Sequence, residues 1–252
     1  MNNQKTILIT GACGIIGSGI LKGLISEQYN LVLVDNNRDK IKEFSRSINS
    51  KKILFVETNI LKKNEVDLCI KKGLDKFGKI DAAIHAAYPK SERWGTKFEN
   101  LEEEFLMEDI KNQLGSAIIF SQRIISCFLK QGFGNLIHIS SIQGVSQPKF
   151  HHYEGTDMTS PIEYSAIKSG IISITKYLSK YYKKRNLRVN CISPGGISNN
   201  QPNIFVKNYK SSCNSKGLLD SEDLTGLILF LISDKSKYIN GQNIIIDDGW
   251  SL

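Results

Sequence analysis

No run of apolar residues approaches the ~20 needed to cross a bilayer as a helix, so no membrane span is expected. Cysteines are few: five, at 13, 69, 127, 191 and 213, with no C-x-x-C pair. That pattern fits reduced thiols in a cytoplasmic protein. Linkers, internal repeats and low-complexity blocks are missing too, so residues 1–252 are expected to form one domain. Met1-Asn-Asn-Gln-Lys runs at once into a strand, which leaves no room for a signal peptide. Charge is plentiful, with a net of +8. The cations are dispersed, however, with pairs such as Lys62-Lys63, Lys71-Lys72 and Lys183-Lys184 on helix surfaces. Neither nucleic acid nor a membrane surface is therefore expected as a partner.

What the chain does have is an alternation of short apolar runs and amphipathic segments. Lys5 to Thr10 reads as a buried strand that stops at glycine. Gly11-Ala-Cys-Gly14-Ile-Ile-Gly17 follows, and then a helical pattern through Ile20, Leu21, Leu24 and Ile25. A strand, then glycines, then a helix presents backbone N–H groups and a helix N-terminus to a pyrophosphate, which side chains would obstruct. Leu31 to Val34 is a second strand, closed by Asp35. An acid about 20 residues beyond the glycines accepts hydrogen bonds from a ribose diol and repels a 2′-phosphate. It favours NAD over NADP. Arg38 acts in the opposite sense, and the alternative role for Asp35 is to cap the helix expected over 37–47. Ile53 to Val56 is a third strand leading to Asn59, whose amide suits an adenine edge. A helix over 62–77 stops at Gly78, and Ile80 to His85 is a fourth strand. Ala86 and Ala87 after it are small enough for backbone to lie along a cofactor. Strands alternating with helices imply an α/β fold, a parallel sheet with helices on both faces.

The second half carries the chemistry. A long amphipathic helix, with a break, is expected over 101–130 and holds Asn112, which by itself reads as polar surface. Gly134 to Ser141 is a fifth strand, with Ser140 and Ser141 at the end where open α/β sheets place ligands. Tyr164 and Lys168 are four apart, hence on one helix face. A free phenol titrates near ~10, and a fixed ammonium one turn away favours the phenolate and lowers that value. Leu187 to Ile192, a helix over 224–232 and a strand over 243–246 complete the pattern.

Taken in order, several motifs make the chain resemble a classical short-chain dehydrogenase/reductase over essentially its whole length. They are Thr10-Gly11-x-x-Gly14-x-x-Gly17, Asp35, Asn112-x-x-Gly115, Ser140-Ser141-x-x-Gly144, Tyr164-x-x-x-Lys168, Arg188-Val-Asn190, Pro194-Gly195 and Tyr238-Ile-Asn-Gly-Gln242. The resemblance implies a Rossmann-type, doubly wound parallel sheet of seven strands and a catalytic tetrad of Asn112, Ser141, Tyr164 and Lys168. Ser141 is preferred to Ser140 because the family serine stands three before the glycine, here Gly144. Tyr164 is implied as general acid/base, Ser141 as the holder of the substrate oxygen, and Asn112 as the residue ordering a relay water. Lys168 is implied to lower the Tyr164 pKa and bind the nicotinamide ribose. Cofactor contacts are implied for Gly11, Cys13, Gly14, Ile15, Ile16, Gly17, Asp35, Asn36, Asn59, Ile60, Ala86, Ala87, Tyr164, Lys168, Pro194, Gly195 and Ile197, with the nicotinamide doing the hydride chemistry. The family also implies a homodimer or homotetramer joined through the helices over 101–130 and 161–183.

Three departures from the pattern stand out. The glycine spacing resembles that of the family's extended, sugar-nucleotide-modifying branch, although the second half is classical. Tyr88 replaces the glycine of the usual N-N-A-G stretch, here His85-Ala-Ala-Tyr88. Ser141 and Tyr164 are separated by an insertion, Gln147 to Pro161, whose hydrogen-bonding groups suggest polar recognition of a substrate. His151-His152 within it are expected to point apart on an extended chain, so no metal site is expected. The insertion and the tail Asn240 to Gly249 resemble short-chain dehydrogenases of bacterial flagellin-modification and surface-glycan pathways. That implies a sugar or nucleotide-linked sugar as the small-molecule substrate, with lysines 207, 210 and 216 either meeting a phosphate or forming a solvated face. The alternatives are an NADPH-dependent reductase of a small ketone or 3-oxoacyl substrate, and a non-catalytic dinucleotide-binding scaffold.

Overall fold

The computed structural model describes residues 4–48 and 50–252. Seven strands form one parallel sheet in the order β3-β2-β1-β4-β5-β6-β7. They are β1 (Thr6–Thr10), β2 (Asn30–Asp35), β3 (Ile53–Glu57), β4 (Ala82–His85), β5 (Gly134–Ile139), β6 (Leu187–Pro194) and β7 (Asn243–Ile246). The winding reverses between β1 and β4, which pair in register from Ile7↔Ala82 to Thr10↔His85. That reversal leaves a crevice beyond the strands' C-terminal ends, the usual ligand position in such sheets.

Both faces of the sheet are covered. Alternation along β1 sends Ile7 and Ile9 to one side, against α1 (Ile15–Ser26) and α8 (Thr225–Ile232), and Leu8 to the other, against α3 (Lys63–Phe77) and α5 (Ser116–Gln131). The remaining helices are α2 (Arg38–Ser47), α4 (Glu103–Asp109), α6 (Ile162–Tyr181) and α7 (Asn203–Lys210). The helix expected over 101–130 is two helices, joined by a π-helical turn at Ile110–Gly115. Asn112 lies in that turn and is buried rather than on the surface. The Arg188-Val-Asn190 motif is a staple. The Arg188 guanidinium donates to the carbonyls of Leu231 and Ser236 at 3.0 and 2.7 Å, satisfying the end of α8. Asn190 donates to Ile239 O at 2.8 Å and accepts from Gln242 N at 3.1 Å, which fixes the approach to β7.

Two buried histidines tie the central strands to the helices. His85 Nδ1 hydrogen-bonds Thr10 Oγ1 at 2.8 Å, and its ring stacks on Phe120 at 4.8 Å. His138, its register partner on β5, bonds Ser121 on α5 and Thr175 on α6, each at 2.9 Å. Burial pulls their pKa values down, to about 3 for His85 and about 4 for His138. The unfolded chain binds these protons near pH ~6.5 and the folded chain does not. Their contribution to stability is thus complete above pH ~6.5 and falls as the pH drops towards about 4, at roughly 1.4 kcal/mol per pH unit for each ring. The melting temperature should be level above pH ~7 and decline below pH ~6.5. His138→Gln should make that decline shallower, as scanning calorimetry across pH would record.

Candidate active site

A cavity of about 630 Å³ opens over the C-terminal ends of the strands. One end is built by the glycine loop. Gly11 has φ +67°, and a Cβ there would lie 2.8 Å from Ala86 O and Ala87 Cα. Glycine is what lets this loop touch the end of β4. A Cβ on Gly17 would fall 2.1 Å from Gly11 O, so Gly17 seats the first turn of α1 under the loop without facing the cavity. Gly14 is the N-cap of α1 and supplies no side-chain cap, and no acid occupies the first turn. The first-turn N–H groups are left without a side-chain acceptor and face the cavity beside Gly14, Ile15 and Ile16. Ile15, where the classical spacing has glycine, is largely exposed on the wall.

Asp35 ends β2 in the same wall. Its carboxylate accepts from Cys13 N at 2.9 Å and Asn37 N at 3.0 Å. It does not cap α2, because Asn37 does, accepting from Lys40 N at 3.0 Å. Arg38 turns away to Glu57, 3.6 Å off, and both are exposed. Lys40, not singled out by the sequence pattern, is the cation that joins Asp35, Asn36 and Asn37 in the wall. Asn59 is displaced from its expected place. Its Oδ1 accepts from Leu61 N at 2.9 Å, and its neighbours Thr58 and Ile60 line the cavity instead. A glycine cradle that a Cβ would fill, an uncapped helix N-terminus and an acid at ribose distance in sequence fit a dinucleotide. Gly11, Gly14, Asp35, Ala86, Ala87 and Ile197 are the residues that would hold it, with Pro194 and Gly195 also in the wall.

The other end holds the expected catalytic group. Tyr164, in the first turn of α6, lines the cavity together with Ser141. The two serines, both in the wall, are engaged differently. Ser140 Oγ donates to Lys168 O at 2.7 Å, whereas Ser141 Oγ accepts from Gln143 N at 3.2 Å. Gly144 allows this turn to press on α6, since a Cβ there would come 2.7 Å from Lys168 C. Lys168 is buried, donates to Ile139 O at 3.2 Å, and lies 5.5 Å from the Tyr164 ring centroid. Desolvation lowers its pKa to about 8. Desolvation also raises Tyr164, with Ser141 acting the other way. Burial outweighs the expected lowering, so Tyr164 is held as a phenol although the Lys168 Nζ lies over its ring. Asn112 is outside the wall, and its Nδ2 donates to Glu108 Oε1 at 3.2 Å.

The insertion is not an extended polar strand. It makes a 3-10 turn at Phe150–Tyr153, where the His151 and His152 rings meet edge to face at 4.4 Å. Two of its polar side chains bond to distant parts of the chain. His152 is buried and bonds Ser212 Oγ at 2.8 Å, and Lys149 donates to Trp250 O at 2.8 Å. Desolvation draws His152 down to about 4. To the cavity the insertion gives Tyr153 and Met158, which join Phe205, Tyr209, Leu218 and Trp250 in a mainly aromatic wall. Tyr209 stacks on Trp250 at 5.8 Å and accepts from Gly196 N at 2.6 Å. Lysines 207 and 210 are exposed on α7, and Lys216 pairs with Asp220 and Asp223. None of the three lines the cavity.

A family model described as enoyl-(acyl carrier protein) reductase matches residues 11–251. Post-translational flagellin modification protein A of Campylobacter coli is 38% identical over 256 residues, covering 100% of both chains. The 7alpha-hydroxysteroid dehydrogenase of Bacteroides fragilis is 28% identical, covering 99% of this chain and 95% of its own. A short chain dehydrogenase from Leptospira borgpetersenii, solved with bound NAD+, superposes with a TM-score of 0.87 at 30% identity, over 99% of this chain and 93% of that one. Match over nearly the full length and a shared seven-stranded parallel sheet lead to one conclusion: the chain belongs to the short-chain dehydrogenase/reductase family and is an oxidoreductase.

Proposed function

We propose that the chain is an NAD-preferring oxidoreductase that interconverts a hydroxyl and a carbonyl on a sugar or sugar-linked small molecule, in flagellin modification or surface-glycan assembly. The observation that carries the chemistry is the Tyr164 phenol, in the cavity wall with Ser141 and with Lys168 over its ring. When bound, the nicotinamide gives or takes the hydride. Tyr164 gives its proton to the substrate oxygen in reduction and removes it in oxidation. Ser141 holds that oxygen at the phenol. Lys168, as the ammonium, favours the phenolate once the proton has left. Asn112, whose amide meets the exposed Glu108, orders the water that returns the proton to solvent.

The sugar assignment is supported by the name of the Campylobacter relative and by flat rings at Tyr153, Phe205, Tyr209 and Trp250, which suit the C–H faces of a pyranose. In the substrate half of the wall, among the described residues, Lys90 is the one cation besides Lys168. That favours a free or singly charged sugar over a nucleotide diphosphate conjugate. The test is NADH formation from NAD+ across a panel of sugars, sugar acids and nucleotide-linked sugars. Turnover of a free sugar or sugar acid supports the reading. Turnover confined to small ketones or 3-oxoacyl substrates with NADPH replaces it by the second reading, which Lys40 beside Asp35 favours.

Asp35 sets the cofactor preference in this account. Asp35→Ala should narrow the ratio of NADH to NADPH affinity by about tenfold, or ~1.4 kcal/mol, in titrations followed by the fluorescence of the bound dinucleotide. A ratio that does not move would remove Asp35 from this role. The same reading makes residues 1–252 one dinucleotide-binding domain of a cytoplasmic homodimer or homotetramer. Ile118 and Leu129 on α5, and Ile162, Tyr177 and Tyr181 on α6, are exposed and supply an apolar face for that assembly.

A further inference from the structure

Tyr88 follows β4 where the family resemblance implies glycine, and its ring, 36% exposed, lies against the groups assigned to catalysis. The Lys168 Nζ lies 5.0 Å from its centroid. The Tyr164 ring meets it edge on at 5.8 Å, and Trp94 does so at 5.4 Å. Trp94 in turn contacts Tyr164 at 5.9 Å. The Lys168 ammonium has three N–H donors, and one oxygen, Ile139 O at 3.2 Å, accepts from it. A cation within ~6 Å of an aromatic face is attracted to it, more strongly when water is excluded.

We propose that Tyr88 is a positioning residue whose ring face holds Lys168 charged and in place against Tyr164. The proposal rests on the reading of Tyr164 and Lys168 as the catalytic pair. Other groups around the cluster do not supply this hold. Asp109, on α4, accepts from the Ser91 N–H and hydroxyl at 2.8 and 2.7 Å. Cys191, beneath Lys168 on β6, is kept as a thiol by burial, its pKa pushed up to about 12. His85 on β4 is kept neutral by burial, at about 3. Glu163 on α6 is buried, and desolvation raises its carboxyl. Tyr153, from the insertion, bonds Gln143 at 3.2 Å. Lys90 lies 5.1 Å from the Tyr88 centroid and adds like charge, which opposes rather than provides the effect.

The test is the titration of Lys168 itself, by carbon-13 NMR of protein labelled at lysine Cε. The resonance is assigned by its loss in Lys168→Met. Removing the ring face disfavours the ammonium, so Tyr88→Leu should lower the Lys168 midpoint by about half to one and a half pH units. Tyr88→Phe keeps the face and should leave the midpoint where it is. An unchanged or raised midpoint in Tyr88→Leu, or an equal fall in Tyr88→Phe, overturns the proposal. If Tyr88→Leu does not fold, Tyr88→Met is measured in its place with the same expected fall. The titration needs neither substrate nor cofactor. A chain that turned over no substrate would defeat the functional reading and leave this result to stand or fall separately.

Discussion

Tyr164→Phe is expected to lower kcat by about 10²–10⁴-fold and leave NADH affinity within about twofold of wild type. The substitution removes one oxygen. The ring, its edge contacts with Tyr88 and Trp94, and the helix that presents it all remain. What goes is the group that gives or takes the proton at the substrate oxygen. No neighbour takes over. Tyr153 hydrogen-bonds Gln143, and Lys168 points at ring faces and at Ile139 O. The direction of the Tyr164 shift adds a pH signature. Because burial holds it as a phenol, reduction should run without loss at neutral pH, while oxidation should rise with pH until the phenol ionises. Steady-state kinetics in both directions would read this. A Tyr164→Phe enzyme as active as wild type would remove the mechanism.

The second large effect lies in the glycine loop, where Gly17→Ala should weaken dinucleotide binding at least tenfold. The added methyl would sit 2.1 Å from Gly11 O and 2.8 Å from Ala12 Cα. Both obstacles are backbone, so no side chain can swing aside. The loop must lift from α1, and with it the N–H groups that face the cavity. Overpacking of this kind costs about 1–3 kcal/mol, or a fall of roughly 2–12 °C in Tm at this chain length. Gly226→Ala is the control. Its Cβ meets nothing within 4 Å in α8, and alanine is the better helix former by about 0.8–1 kcal/mol. It should leave binding unchanged and Tm equal or higher. Equal behaviour of the two variants in calorimetry and binding would show that the loop tolerates the methyl.

Much of this was legible in the sequence because period and punctuation are local signals. Short apolar runs ended by Gly11, Asp35, His85 and Ser140 fall at the C-terminal ends of β1, β2, β4 and β5. The Tyr164/Lys168 spacing needs only helical geometry to put both residues at the cavity. What sequence did not carry was direction. Arg38 and Lys40 are two residues apart, yet one faces Glu57 and the other the cavity, because the first turn of α2 rotates them to different sides. Asn59 is taken by the turn it sits in. The polar composition of the insertion suggests substrate recognition, but it does not reveal that His152 and Lys149 close the insertion onto Ser212 and Trp250. The aromatic wall came from segments far apart in the chain, 153, 205, 209 and 250, and no local pattern joins them. The direction of the Tyr164 pKa was hidden for a related reason: spacing puts a cation one turn away, and only coordinates show that burial outweighs it.

The central claim is that this cavity binds a nicotinamide dinucleotide and prefers the unphosphorylated one. Isothermal calorimetry with NADH and with NADPH tests it without any knowledge of the substrate. The account predicts one NADH bound per chain and NADPH at least tenfold weaker, the bias that Asp35 should impose. Tighter binding of NADPH would mean that Lys40 outweighs Asp35. Heat from neither dinucleotide would contradict the account at its base.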